Sequence, residues 1–235
     1  MSITRIIRVL SVVILGGLLQ PVIAHAYPET HESHYVLPDD LAPQLLPPPP
    51  AEGSPAWKEE IKAVVKAQKK LSTQDIAAIH DEQHLKLELV TSVMGPDFTP
   101  TKFPHTFKLL GNVFTDTEIV TGADKNFWHT RRPYLTDKRV KLMVDPIDQN
   151  PSYPSGHAAA SRVAAEVLGM LYPHRLEELR ARAEAIAYHR VEAGVHYPND
   201  IEAGRMVAMM VIGALSKSDG FKADLAVARE EVQPH

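Results

Sequence analysis

From residue 56 onward the apolar positions recur every three or four residues and almost nowhere every second one, which is a helix period and not a strand period. Trp57, Ile61, Val64 and Gln68 mark one face of a helix over 56–70. Ser72-Thr73 then offers a new N-cap ahead of Asp75, and Ile76, Ile79, Leu87 and Val90 form the inner face of a second helix that Gly95-Pro96 breaks. A third helix is expected over 104–121, burying Phe107, Leu110 and Phe114 and stopping at Gly122. Between 134 and 153 the period is lost, and Pro146, Asn150, Pro151 and Pro154 mark a loop. The clearest helix follows over 158–171, with Ala160, Val163, Ala164, Val167, Leu168 and Leu171 on one side and Pro173 closing it. Leu176, Leu179, Ala183, Ile186 and Ala187 give another, and Ile201, Gly204, Ala208, Val211, Ile212 and Leu215 give the last. With no sustained alternation and no repeat of 20–50 residues, the expected fold is all-α: a single-domain helical bundle over 56–235.

Ahead of the bundle the pattern changes twice. Residues 27–55 carry Pro38, Pro43, the run 47–50, Gly53 and Pro55. Proline fixes φ and lacks the backbone donor, so this Pro-rich N-terminal arm is expected to be extended, wrapping the domain or lying loose. Residues 1–26 have positive Arg5 and Arg8, an apolar run over 9–19 too short to span a bilayer, and Ala24-His25-Ala26 as a small-x-small cleavage box. They are expected to be a signal peptide, placing the mature protein in the periplasm. The longest apolar stretch after them, 206–215, falls short of the ~18 residues of a membrane span, so no span is expected in the mature chain.

Composition narrows the chemistry. Of the 25 Lys+Arg, two lie in the leader, and none of the 29 Asp+Glu does; 23 against 29 leaves a formal charge of −6 on the mature chain. Binding of a nucleic-acid polymer is therefore not indicated. The absence of cysteine excludes disulfides, thiolate metal sites and a thiol nucleophile.

Three short motifs carry candidate chemistry. Ser155 and Gly156 stand where a helix starts, and unpaired N–H groups with the positive end of the helix dipole suit phosphate oxygens. Ser-Gly before a helix is also a common capping arrangement. Lys125 and Arg132-Pro133 lie upstream; a guanidinium grips two phosphate oxygens in one plane and a lysine adds a mobile charge. The third piece is Arg190, His196 and Asp200. Four residues apart at a helix start, His196 and Asp200 are close enough for a hydrogen bond that fixes the imidazole tautomer, though a structural capping pair has the same spacing. A metal site on His189, His196 and Asp200 would lack a familiar zinc spacing and would place Arg190 against the ion; the reading needs neither metal nor cofactor.

Taken together, Lys125-x6-Arg132-Pro133, Pro154-Ser155-Gly156-His157 and Arg190-x5-His196-x3-Asp200 resemble the three-part signature of the type-2 phosphatidic acid phosphatase superfamily. That group comprises bacterial class A non-specific acid phosphatases, membrane lipid phosphatases and vanadium haloperoxidases. The leader, the length and the 46–54 segment look like the class A enzymes. One departure stands out: His189 occupies a place where the family usually has serine. The resemblance implies an exported, metal-independent acid phosphatase acting on small phosphomonoesters, with phosphotransfer as an available side reaction and vanadate and phosphate as inhibitors. It makes His196 the nucleophile that forms a phosphohistidine, Asp200 its orienting partner and His157 the acid and base. Lys125, Arg132, Ser155, Gly156 and Arg190 would bind the phosphate. A vanadium-dependent haloperoxidase and a non-catalytic phosphate-binding protein are the alternatives. Trp128, Tyr134 and Tyr153 lie near the motifs and are expected to flank an organic group or, more simply, to pack. Oligomeric state is left open, a homo-oligomer included.

Overall fold

A computed structural model describes residues 32–147 and 150–232. The expected signal peptide therefore lies outside the described residues. Within them the chain forms nine α-helices and no strand. In order they are α1 (Pro55–Ala67), α2 (Thr73–Asp81), α3 (Glu88–Thr91), α4 (Pro104–Trp128), α5 (Pro133–Thr136), α6 (Gly156–Leu171), α7 (Leu176–Glu192), α8 (Pro198–Leu215) and α9 (Asp219–Val232). The all-α expectation holds. Among the described residues no helix is long and apolar enough to cross a membrane.

The centre of the bundle is α6, packed against α4, α7 and α8. Its sequence explains that position. Ala158, Ala159, Ala160, Ala164, Ala165 and Gly169 are all buried, so small side chains on several faces let three neighbouring helices approach at once, while Val163, Val167 and Leu168 fill the main core with Leu109, Leu110, Val207 and Val211. A smaller cluster of Ile61, Val64, Val191, Tyr197 and Ile201 joins α1 to α7 and α8.

From residue 32 the proline-rich arm is extended as its composition predicts, interrupted by two 3-10 turns at Pro38–Asp40 and Pro43–Leu45, and this part lies against the bundle. Asp116 of α4, fully buried, accepts the backbone N–H groups of His34, Tyr35 and Val36 at 2.7, 2.8 and 3.0 Å. Val36 and Leu46 enter the core, and the Tyr153 hydroxyl donates to the Pro47 carbonyl at 2.6 Å.

Three element boundaries differ from expectation. Gly122 does not end α4; it is buried inside a helix that runs on to Trp128 and closes at His129 in the left-handed region, φ 48°. A mid-helix glycine costs about 1 kcal/mol, and the helix continues through it with Val120 and Thr121 buried beside it. The expected second helix stops at Asp81, and Leu87 and Val90 belong to α3, the one as its N-cap and the other inside it. Finally, α8 is not last: Ser218 caps α9, which lays Phe221, Leu225 and Ala228 against α4.

Candidate active site

Each motif residue is delivered by the end of an element. Lys125 stands in the last turn of α4, Arg132 is the N-cap of α5, and Ser155 is the N-cap of α6, its Oγ accepting from the Ala158 N–H at 3.3 Å. Gly156 and His157 open α6, Arg190 closes α7, and Asp200 lies in the first turn of α8. Between α7 and α8 the chain reverses through Gly194 at φ 76°, where an added Cβ would sit 2.3 Å from the Lys141 carbonyl oxygen, so only glycine fits. The reversal brings the His196 N–H back onto the Arg190 carbonyl at 3.2 Å and fixes the distance between those two residues.

Lys125, Arg132, Gly156, His157, Arg190 and His196 all line one cavity of ≈ 470 Å³. Six of the eight residues selected from sequence thus converge on a single space. The other two stand behind it. Ser155, with no exposed surface, holds the helix start, and Asp200 backs His196.

His196 is 3% exposed and sits between opposite charges. Its Nδ1 is 3.0 Å from Asp200 Oδ2, and its Nε2 is 3.3 Å from Arg132 Nη1. A guanidinium only donates, so these partners assign the tautomer: the proton is on Nδ1 and Nε2 keeps its lone pair. Asp200 Oδ2 also accepts from Ser152 Oγ at 2.5 Å and the Tyr197 N–H at 2.9 Å. Arg132 is fixed by the Asn150 and Val195 carbonyls, both at 2.8 Å, and Lys125 by the Pro151 and Ser152 carbonyls at 2.5 and 3.1 Å. Arg190 is 1% exposed, and its Nε is buried with no acceptor among the described residues.

Like charges crowd this wall. Burial, then Arg132, pushes Lys125 well below the ordinary lysine value, and burial brings Arg190 down to about 10. Burial and the cations Arg132, Lys125 and Arg190 push His196 well below 6.5; burial and Arg190 do the same to His157. Asp200 is pushed up to about 6 by burial, against the pull of Ser152 and the Tyr197 N–H. An anion entering the cavity would relieve the repulsion among the cations.

His157 Nε2 is 3.0 Å from the main-chain carbonyl of Glu82, which Arg190 Nη1 reaches at 3.4 Å. His189 does not join His196 and Asp200; its Nδ1 is 2.7 Å from Glu82 Oε2, a contact that raises its pKa. Among the described residues no three His, Asp or Glu side chains are grouped to hold a metal ion. Trp128, Tyr134 and Tyr153 are absent from the cavity wall: Tyr153 is in the core, and Tyr134 donates to the Ile147 carbonyl at 3.2 Å. The outer wall is instead built by Gln83, His84 and Leu85 opposite Asp145, Pro146 and Ile147. Those two loops are clasped where Gln83 donates to Asp145 at 3.2 Å and accepts from its N–H at 3.3 Å. Sequence reading missed Glu82, which looked like a mid-helix residue, and Ser152, which sits in a loop with no periodic signal. Ser152's place three residues before the capping serine was the one available clue.

What fold and site define is a class: an all-helical protein that gathers cations, a helix N-terminus and two imidazoles around one cavity. Within that class, residues 106–222 match the PAP2 superfamily. The non-specific acid phosphatase of Salmonella typhimurium is 28% identical over 195 residues, spanning 80% of this chain and 78% of that protein. The acid phosphatase of Zymomonas mobilis is 29% identical over 238 residues, spanning 97% and 88%. The crystal structure of the first bacterial vanadium-dependent iodoperoxidase shares the fold, with a TM-score of 0.55 and 20% identity over 72% of this chain; the match spans 52% of that chain's length.

Proposed function

We propose that this protein is an exported acid phosphatase that hydrolyses phosphomonoesters through a phosphohistidine on His196, without a metal ion. In the first step His196 Nε2 attacks phosphorus, the P–O bond to the alcohol breaks, and His157 gives its proton to the departing oxygen. In the second, neutral His157 takes a proton from water, the hydroxide attacks the phosphohistidine, and the P–N bond breaks to release phosphate. Lys125, Arg132, Arg190 and the Gly156 N–H hold the non-bridging oxygens, with the Ser155 hydroxyl behind them. An alcohol taking the place of water in the second step gives phosphotransfer.

The observation that carries this reading is the convergence of Lys125, Arg132, Arg190, Gly156 and both histidines, from the ends of four helices and the loops beside them, on one cavity wall. Phosphoryl transfer spreads charge over three equatorial oxygens, and fixed donors aimed at them supply most of the catalysis. The assigned tautomer supports His196 as nucleophile, since the lone pair is on the nitrogen facing Arg132. Relatives named as acid phosphatases over most of the chain support the reaction class. The shared fold of the iodoperoxidase makes halide oxidation with vanadate and peroxide the natural control assay.

The test is hydrolysis of p-nitrophenyl phosphate by the purified mature chain. Turnover is expected to persist in EDTA, to be inhibited by vanadate and phosphate, and to fall by at least about 10³-fold in His196→Ala. Loss of activity in EDTA, or His196→Ala within about tenfold of wild type, would overturn the proposal.

A further inference from the structure

Glu82 is the residue immediately after α2, 2% exposed, and it faces two ways. Its carboxylate is shared by two side chains of α7: Oε1 accepts from Arg182 at 2.7 Å and Oε2 is 2.7 Å from His189 Nδ1. Its main-chain carbonyl meets two residues of the cavity wall from behind, His157 Nε2 at 3.0 Å and Arg190 Nη1 at 3.4 Å. The residue belongs to no helix, so no ladder of hydrogen bonds fixes that carbonyl; its own N–H, donating to the Ala78 carbonyl at 2.9 Å, closes α2.

We infer that Glu82 is a positioning residue for His157, its side chain clamped by Arg182 and His189 so that its carbonyl holds one ring nitrogen of the acid in place. The inference rests on the proposed role of His157. A proton on Nε2 donated to a carbonyl stays there through the cycle, so the exchanged proton must be carried on Nδ1. Imidazolium then gives its Nδ1 proton to the departing alkoxide, leaving a neutral ring that still holds the Nε2 proton, and the charges balance. His189, the departure from the family signature, thereby acquires a purpose. With Arg182 it fills the coordination of a buried carboxylate that would otherwise pull the loop toward water. A plain ion-pair staple between α2 and α7 would use the same contacts but would have no reason to act on leaving groups selectively.

Leaving-group dependence separates the two. p-Nitrophenolate departs without a proton, whereas an alkoxide needs one, and kcat/KM reports the step in which it leaves. For wild type, His157→Ala, Glu82→Ala, Glu82→Gln and His189→Ala, kcat/KM would be measured on p-nitrophenyl phosphate and on glycerol 2-phosphate. Glu82→Ala is expected to lose about tenfold more on the alkyl ester than on the aryl ester, the same direction as His157→Ala, because misplacing an acid by about 1 Å is enough for such a loss. Glu82→Gln, which keeps both side-chain contacts in neutral form, should restore the ratio to within about threefold of wild type. Should Glu82→Ala fail to fold, His189→Ala leaves the Arg182 contact in place and is expected to show a differential of about threefold. Equal losses on both esters in the Glu82 and His189 variants, beside a clear differential in His157→Ala, would reduce Glu82 to a staple and overturn the inference. No differential in His157→Ala itself would instead remove the acid role from His157, and the inference with it.

Discussion

His196 and His157 differ in what faces them, and that difference sets the pH at which the proposed chemistry can run. Asp200 accepts from His196, and for the pair to work the carboxylate must be ionised; burial has pushed it up to about 6. His157 must hold a proton to act as an acid, and burial with Arg190 has pushed it well below 6.5. As pH falls the first requirement fails, and as pH rises the second does. The product of the two fractions is therefore largest between the two values, at or below about 6. The dianion of the substrate offsets Arg190, Arg132 and Lys125 and moves His157 back up once bound, so kcat should extend to higher pH than kcat/KM. A profile of both parameters on p-nitrophenyl phosphate checks this. An optimum of kcat/KM above neutrality would mean that the proton donor is a different group.

The four main motif carriers, α4, α6, α7 and α8, were legible as elements because their apolar residues follow the helix period closely, and the convergence of their ends could be anticipated from motif order. The boundaries were less legible, for a physical reason in each case. Glycine at 122 weakens a helix locally, but Val120 and Thr121 beside it are buried and the helix runs on. Ile79 and Val90 share a helical spacing, yet the demands on Glu82 break the chain between them. Such decisions are made by contacts between elements, which a periodicity does not contain. The crossing of α6 and α8 is another contact of this kind, and it sets the site geometry. The Ser155 N–H donates to the Asp200 carbonyl at 2.9 Å, tying the two helix starts together. A Cβ on Gly204 would lie 2.6 Å from the Ser155 carbonyl oxygen and 2.8 Å from Ala158 Cβ. One of these is backbone and cannot turn aside, so Gly204→Ala must move α8 off α6 and carry His196 away from Gly156 and His157. The expected outcome is a stability loss of about 1–3 kcal/mol by urea denaturation, together with a drop in kcat of about tenfold or more. A destabilised variant with unchanged kcat would show that the two helix starts are held by other contacts.

Across the described residues the buried charges are mixed: Lys125, Arg132 and Arg190 lie inside together with Glu82, Asp116, Asp124 and Asp200. Asp124 is 1% exposed beside Lys125, its Oδ2 has no hydrogen-bond partner among the described residues, and burial pushes its pKa from 3.8 up to about 7 against the attraction of Lys125. A carboxyl whose folded pKa lies above its unfolded value favours the folded state while protonated. Its contribution is fully present below 3.8 and is lost as pH rises through about 7. Asp200, raised in the same direction to about 6, adds to the trend. His157 and His196, both held well below 6.5, act in the opposite sense, so the share of Asp124 is read from the difference between wild type and a variant. A rise from 3.8 to about 7 corresponds to at most ~4 kcal/mol, and relaxation of the buried site would reduce that. Asp124→Asn removes the ionisation while preserving the shape. Relative to wild type, its melting temperature should rise as the pH goes from mildly acidic to neutral, and at neutrality the variant should be the more stable by roughly 1–3 kcal/mol. Thermal unfolding of both proteins across that pH range, without phosphate in the buffer, measures the difference directly; parallel curves would mean that Asp124 keeps an ordinary pKa and that Lys125 already neutralises it.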